Sequence, residues 1–231
     1  MSAGKSQWTM FPQQTDSCLQ GICLRGSMWC NQHLVATVIS AIAILAYVVP
    51  SLAVALQLDF ASVAAGQWWR LLTGHLTHYG GQHLFWDLLM FVVLGIACER
   101  RHPRLFGILI IVMALGISTA LIFVCRDVSG YRGLSGIDTG LFVWFIGDQI
   151  RQSLAGRDRM FAFFWTATGT LLVGKLLFEY VTGDVLFVDA DGFKPLVESH
   201  LVGAAFGALF AGAGSLAGNA DPECSAYSDV A

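Results

Sequence analysis

Of the chain's 231 residues, 55% are hydrophobic and only 13% charged, against about 25% charged in an average soluble domain. With a mean hydropathy of +0.63 such a chain cannot cover a water-facing surface, which sets aside a soluble enzyme and a disordered chain. A net charge of −3 sets aside a strongly basic protein and, with it, a nucleic-acid partner.

The expected fold class is therefore an all-α membrane protein. Residues 1–33 mix polar and apolar types, with no apolar run and cleavage site of a signal peptide, and form a cytoplasmic N-terminal segment. Cys18, Cys23, Cys30 and His33 lie there. Their spacing fits no common zinc motif, so ordinary free thiols are the favoured reading and no metal or cofactor is expected. Residues 34–217 hold six apolar stretches: Leu34–Leu56, Leu84–Cys98, Leu105–Cys125, Ser135–Ile150, Met160–Val181 and His200–Ala217. Several are shorter than the ~20 residues that cross a hydrocarbon core, which suits a six-helix bundle that thins the bilayer or buries its helix ends. Pro50 should kink the first. The polar, acidic segment 218–231 reads as a disordered tail.

Cations set the orientation of such a chain. Eight Lys and Arg residues fall on the side that carries both termini, four on the other, and Lys175 lies inside the fifth stretch. Both termini are therefore expected in the cytoplasm, with the loop Asp184–Glu198 outside.

That orientation puts His83, Ser135 and His200, which open the second, fourth and sixth stretches, at one membrane depth on the outer side. Polar groups there are costly and call for a partner or a function. Ser135 lies in Tyr131-Arg132-Gly133-Leu134-Ser135-Gly136, where a tight loop turns into a helix whose free N–H groups can hold an oxyanion. Ile137 stands where the nucleophile elbow of soluble hydrolases needs glycine; alone, the cluster reads as a helix cap. His200 precedes Gly203, Gly207 and Ala211, a small-residue stripe that lets helix backbones approach. Gly136 and Gly140 offer a matching stripe. If the two faces pack, Ser135 and His200 meet.

Other polar residues have plainer readings. Lys175 and Glu179, four apart, can pair on one helix face. Asp148 is expected to be solvated at the cytoplasmic end, and His75 and His78 to pack in a loop. Trp68 and Trp69 suit interfacial anchors, and Cys98 and Cys125 suit helix packing.

Taken in order, Trp69-Arg70, His78, His83, Leu94-Gly95, Glu99, Gly133-Leu134-Ser135-Gly136 and His200 with Gly203 and Gly207 resemble the rhomboid intramembrane serine proteases over roughly residues 66–214. The Gly-Leu-Ser-Gly-Ile-Asp run is similar to the short bacterial branch that includes the rhombosortases, which process glycine-rich C-terminal sorting helices. The resemblance implies a serine endopeptidase in the bacterial inner membrane, its site opening outward. Ser135 is then the nucleophile and His200 the general base, with an oxyanion hole of the Ser135 N–H and His83. The implied partners are transmembrane protein substrates and the lipid bilayer.

Two positions depart from the family pattern. Asp87 stands where asparagine is usual, so it donates as a neutral acid, or, as favoured here, stays ionised and holds the His83 proton, or points away and bonds another helix. Thr139 stands where tyrosine is common. Asp138, one turn below Ser135, is a candidate third triad member, with a plain helix–helix hydrogen bond as its alternative. Two other functions remain open: an inactive rhomboid-like protein that binds transmembrane segments, and a small transporter using Asp87, Asp138 and Lys175 as a relay.

Overall fold

The structure, a computed structural model, describes residues 33–184, 186 and 195–217. The segment carrying Cys18, Cys23 and Cys30, the tail 218–231 and most of the expected outer loop lie outside the described residues. The chain order is α1 Leu34–Val48, α2 Pro50–Leu56, β1 Leu58–Asp59, α3 Phe60–Ala64, α4 Arg70–Thr73, a 3₁₀ turn Gly74–Leu76, α5 Gly81–Arg101, α6 Pro103–Val124, β2 Gly130–Tyr131, α7 Ser135–Ala155, α8 Arg159–Thr182 and α9 Val197–Ala217.

Pro50 breaks the first apolar stretch rather than kinking it. Proline lacks an N–H and pushes the preceding residue out of the helical region. Val49 is accordingly extended (φ −111°, ψ 94°), Pro50 starts a new helix, and α1 and α2 meet at 117°.

Residues 50–80 fold as a compact loop region around Arg70, which is 92% buried by relative exposure of 8%. Its Nη1 donates to the carbonyls of Val54 (2.9 Å) and Gln57 (2.7 Å), and its Nε donates to Gln67 Oε1 (2.7 Å). A buried guanidinium is tolerated because its donors are met by fixed oxygens. Trp69 Nε1 donates to Ala55 O (3.4 Å). Both residues of the Trp-Arg pair thus tie this region together. His75 fastens it to α6: its Nε2–H donates to Ala114 O, with Ser118 Oγ equally near (3.0 Å each). The Ser118 hydroxyl in turn donates to Leu71 O (2.7 Å). Burial pushes His75 down to about 4, so it stays neutral through the physiological range.

The core lies between α5, α6 and α7, where Phe91, Phe106, Leu109, Met113, Ile117, Ile137 and Leu141 are buried. Glu99, near the end of α5, is buried as well. Its two oxygens accept the Val35 and Ala36 N–H groups at 2.9 Å each, supplying from another helix the acceptors that the start of α1 lacks. Asp148 is not solvated as expected. It is buried, 2.8 Å from Arg101 Nε and 3.1 Å from His102 Nε2, and paired with Arg151. The bases that end α5 and begin α6 reach across to α7, and this could not be read from one helix's charges. Cys98 and Cys125 are buried, as expected of packing residues.

Helices α7 and α9 pack backbone to backbone, as their small-residue stripes predict. A Cβ on Gly136 would stand 2.9 Å from Ser199 O, one on Gly140 2.7 Å from Gly203 O, and one on Gly203 or Gly207 would collide with the carbonyl of Gly136 or Gly140. Helix α8 is peripheral, with an apolar surface that no described residue covers; Leu171 and Val181 are 76% and 80% exposed. Lipid suits such a surface.

Among the described residues, three helices are long and apolar enough to cross a membrane: α5, α6 and α8. The bent α1–α2 pair makes a fourth if taken as one span. The other two expected spans are present as helices α7 and α9. Helix α7 carries Asp138, Asp148 and Arg151 and buries much of its surface against neighbours, so it has less need of apolar residues than a lipid-facing helix. For α9, the apolar portion is the shorter Val197–Gly212.

The α7–α9 contact leaves no room for a methyl group. Gly203→Ala is expected to destabilise the protein by about 1–3 kcal/mol, the usual cost of overpacking. Gly174→Ala on α8, where a Cβ meets nothing within 4 Å, should leave stability unchanged or raise it by up to about 1 kcal/mol through helix propensity. Thermal unfolding of both variants in detergent checks the contrast.

Candidate active site

The segment leading to Ser135 is fixed from three directions. First, β2 pairs with β1 in antiparallel register, Leu58 opposite Tyr131 and Asp59 opposite Gly130. Second, Arg132 Nε donates to Gln57 Oε1 (2.8 Å), with Nη2 on the same oxygen, and its guanidinium lies 5.1 Å from the centre of the Tyr79 ring. Third, the Leu134 N–H donates to Asp87 Oδ2 (2.8 Å). Gly133 makes the last contact possible. Its φ is +126°, and a Cβ there would stand 2.8 Å from His83 Nε2 and 3.1 Å from Asp87 Oδ2. Only glycine combines that backbone with that approach. Ser135 then begins α7.

Asp87 is an organising acceptor. Besides the Leu134 N–H, its Oδ2 lies 3.1 Å from His78 Nε2 and 3.3 Å from His83 Nε2. One oxygen therefore faces the Leu134 N–H, which can only donate, and two imidazole nitrogens, which donate in the Nε2–H tautomer or as imidazolium. This geometry speaks against Asp87 as a neutral acid donating from that oxygen, and against the reading in which it points away. It fits a carboxylate that orients His83. His78, expected only to pack a loop, is the histidine that shares this carboxylate. Its ring meets that of His83 edge-on at 5.1 Å, and Tyr79 stacks on His83 at 6.1 Å.

His200 sits in the first turn of α9, one residue beyond the Ser199 carbonyl that touches Gly136. Its Nδ1 is 3.0 Å from Glu179 Oε2. Glu179 is fully buried, and its other oxygen accepts from Lys175 Nζ (2.6 Å) and the Leu186 N–H (3.1 Å). The expected Lys175–Glu179 pair is present. That the same carboxylate also reaches His200 was the missed feature. The available signal was position: Glu179 lies near the C-terminal end of α8 and His200 at the N-terminal end of α9, the next helix in the chain.

Asp138 does not take the place expected of a third triad member. It is buried, and neither carboxylate oxygen has a hydrogen-bond partner among the described residues, while the His200 nitrogen it was to meet is engaged by Glu179. The His200 Nδ1 faces α8 rather than α7. The expected helix–helix hydrogen bond of Asp138 is likewise not formed. The Thr139 hydroxyl donates back to Ser135 O (2.8 Å). Tyr131, not singled out from sequence, lies beside the Ser135 and Ser199 side chains, and burial pushes its phenol up to about 12.

Ser135, His200, His83, Asp87, Tyr131 and Asp138 all line one cavity of about 430 Å³, walled by apolar side chains that include Trp86, Met90, Phe142 and Leu172. An apolar hollow with a few convergent polar groups is the usual form of a substrate site. Among the described residues no group of three or more His, Cys, Asp and Glu side chains converges as metal ligands would. Nor does a hydrogen bond among them link Asp87, Asp138 and Lys175 into the relay that a transporter would need.

The two buried aspartates should respond oppositely to removal. Asp87→Ala leaves the Leu134 N–H and two histidines without their acceptor, and is expected to cost on the order of 3 kcal/mol. Asp138→Val removes a buried carboxyl that bonds nothing, so stability should hold or rise. Thermal unfolding of the two variants under one detergent condition checks the difference in sign.

The family model described as Rhomboid domain matches residues 65–216, which takes in every cavity-lining residue named above. A curated relative, the rhomboid protease AarA of Providencia stuartii, is 39% identical over 56 residues, covering 24% of this chain and 20% of that protein. The matched stretch is thus about a fifth of the relative's length. The family model spans well over half of the chain, and on that ground the chain belongs to the rhomboid family.

Proposed function

We propose that this membrane protein is an intramembrane serine protease that hydrolyses peptide bonds in or near the transmembrane segments of other membrane proteins. The observation that carries the reading is the glycine-mediated contact of α7 with α9, which brings Ser135 and His200 to one cavity. A serine hydroxyl is a weak nucleophile until a base takes its proton. The Ser135 proton passes to His200 Nε2 as Oγ bonds to the substrate carbonyl carbon. The same proton then goes to the leaving amine as the C–N bond breaks. Water afterwards hydrolyses the acyl-enzyme through the same histidine.

The negative charge that develops on the carbonyl oxygen needs donors already in position. The Ser135 N–H, at the start of α7, and the His83 side chain, on the cavity wall, are the candidates. Asp87 serves them indirectly, by holding His83 and the Leu134 N–H.

The substrate must offer an extended peptide bond, because a helix in lipid keeps its backbone groups internally bonded. A transmembrane segment that unwinds easily, including one with a glycine-rich C-terminal sorting helix, meets that demand. The cation asymmetry of the loops supports an orientation with both termini in the cytoplasm and the cavity toward the outer face of the cell membrane. The six helices, α1 with α2 and then α5 to α9, are read as six spans.

Cleavage of a panel of single-span substrates by the purified chain in detergent tests the reading. Ser135→Ala and His200→Ala should each bring cleavage to near background, and the double variant should be little worse than either, since residues that act as a unit are not additive. A folded single variant that keeps substantial activity would remove its residue from the mechanism. Full loss of substrate cleavage by the wild type, with retained binding of the same segments, would favour the inactive binding protein instead.

A further inference from the structure

Glu179 is the one carboxylate, among the described residues, that is bonded to His200. Its Oε2 faces Nδ1 at 3.0 Å. It comes from α8, a different helix, and is buried completely. Burying a carboxylate with a histidine alone is costly unless the remaining lone pairs and the charge are also met. Here they are: Lys175 Nζ and the Leu186 N–H both donate to Oε1, at 2.6 and 3.1 Å. Every feature of this arrangement leaves Oε2 for a single purpose, to accept a proton-bearing Nδ1.

The tautomer of His200 follows. Neutral imidazole carries one N–H and one lone pair. With the N–H at Nδ1 held by Glu179, the lone pair is at Nε2, the nitrogen that a general base must offer. The two other carboxylates of the cavity are not available to do this. Asp87 is occupied by Leu134, His78 and His83, and Asp138 bonds nothing.

We infer that Glu179 is a positioning residue for the reaction, completing a Ser135–His200–Glu179 triad in which Lys175 and the Leu186 N–H fix the carboxylate. The inference rests on the Ser135–His200 reading above. Glu179 takes no proton at any stage. It holds the imidazole in the Nδ1–H form and stabilises the imidazolium that exists while His200 carries the serine proton.

The double occupation of Oε1 makes one substitution especially informative. In Glu179→Gln the amide should place its carbonyl oxygen toward Lys175 and the Leu186 N–H, which can only donate. The amide NH₂ then faces His200 Nδ1 and demands an acceptor there, so the proton moves to Nε2. The histidine keeps its position and loses its function as a base.

The test uses the full chain in detergent and a fluorophosphonate probe, which reacts with an activated serine. Labelling of Glu179→Gln is expected to be roughly 10²–10⁴-fold slower than that of the wild type, the range that a general base supplies. Glu179→Asp, which restores a carboxylate, should recover to within about tenfold of the wild-type rate, with unfolding temperatures measured for each variant. Ser135→Ala should not be labelled. Nitrogen-15 NMR of histidine, with the His200 signal assigned through His200→Ala, should show the neutral ring protonated at Nδ1 in the wild type and at Nε2 in Glu179→Gln. That readout would not move if Glu179 merely tethered α8 to α9.

A folded Glu179→Gln labelled within about threefold of the wild type, while Ser135→Ala is unlabelled, overturns the triad and leaves the Ser135–His200 reading standing. Labelling of Ser135→Ala at the wild-type rate overturns that reading itself, and the triad with it. Should Glu179→Gln not fold, the wild-type spectrum decides: neutral His200 protonated at Nε2 contradicts the inference, and protonated at Nδ1 is the result expected.

Discussion

The contact on which the rest of this structure depends is that of two helix backbones with no side chain between them. Gly136 and Gly140 of α7 meet Gly203 and Gly207 of α9, with carbonyl oxygens standing where Cβ atoms would otherwise be. In lipid, helices gain little by hiding apolar surface from one another, so close packing of small residues is the available source of association. Its functional consequence is positional. Ser135 and His200 lie on separate helices, 65 residues apart in sequence, and under the proposed mechanism a bulkier seam would hold them too far apart for proton transfer.

Around that seam the structure fixes each polar group from a neighbouring element. The short β1–β2 pairing, the Arg132–Gln57 contact and the Leu134–Asp87 hydrogen bond hold the serine loop. Glu179 holds the histidine from α8. Arg70, His75 and Glu99 brace the first third of the domain with buried bonds to backbone groups. In a water-poor interior these bonds have little competition from solvent, and each unmet one would be costly. The polar residues that lower the hydropathy of α5 and α7 are therefore the means by which these helices keep the cavity's polar groups in one geometry.

Much of this was legible in the sequence, and what was not has a physical reason. The helices followed from apolar runs, and the glycine seam from four-residue spacing on two separate stretches. Ser135, His200 and His83 stood out because charge counting put them at one depth. What one dimension could not show was which polar group faces which. Asp138 and Glu179 were both carboxylates within reach of His200 by depth, and helical periodicity favoured Asp138 because it lies one turn from Ser135. The structure pairs His200 with Glu179 instead, a contact between two helices that the spacing within one helix does not reveal. Asp148 and His78 were misjudged for the same reason, since their partners come from other segments. The break at Pro50 exceeded the expected kink because Val49, the residue before the proline, is extended rather than helical.

The central claim is that Ser135 becomes nucleophilic because His200 is beside it. Mass spectrometry of the chain after reaction with a fluorophosphonate tests this most directly. The account predicts a single stoichiometric adduct on the peptide containing Ser135, formed by the wild type and absent from folded His200→Ala. An adduct at any other residue, or equal modification of Ser135 in His200→Ala, would contradict it.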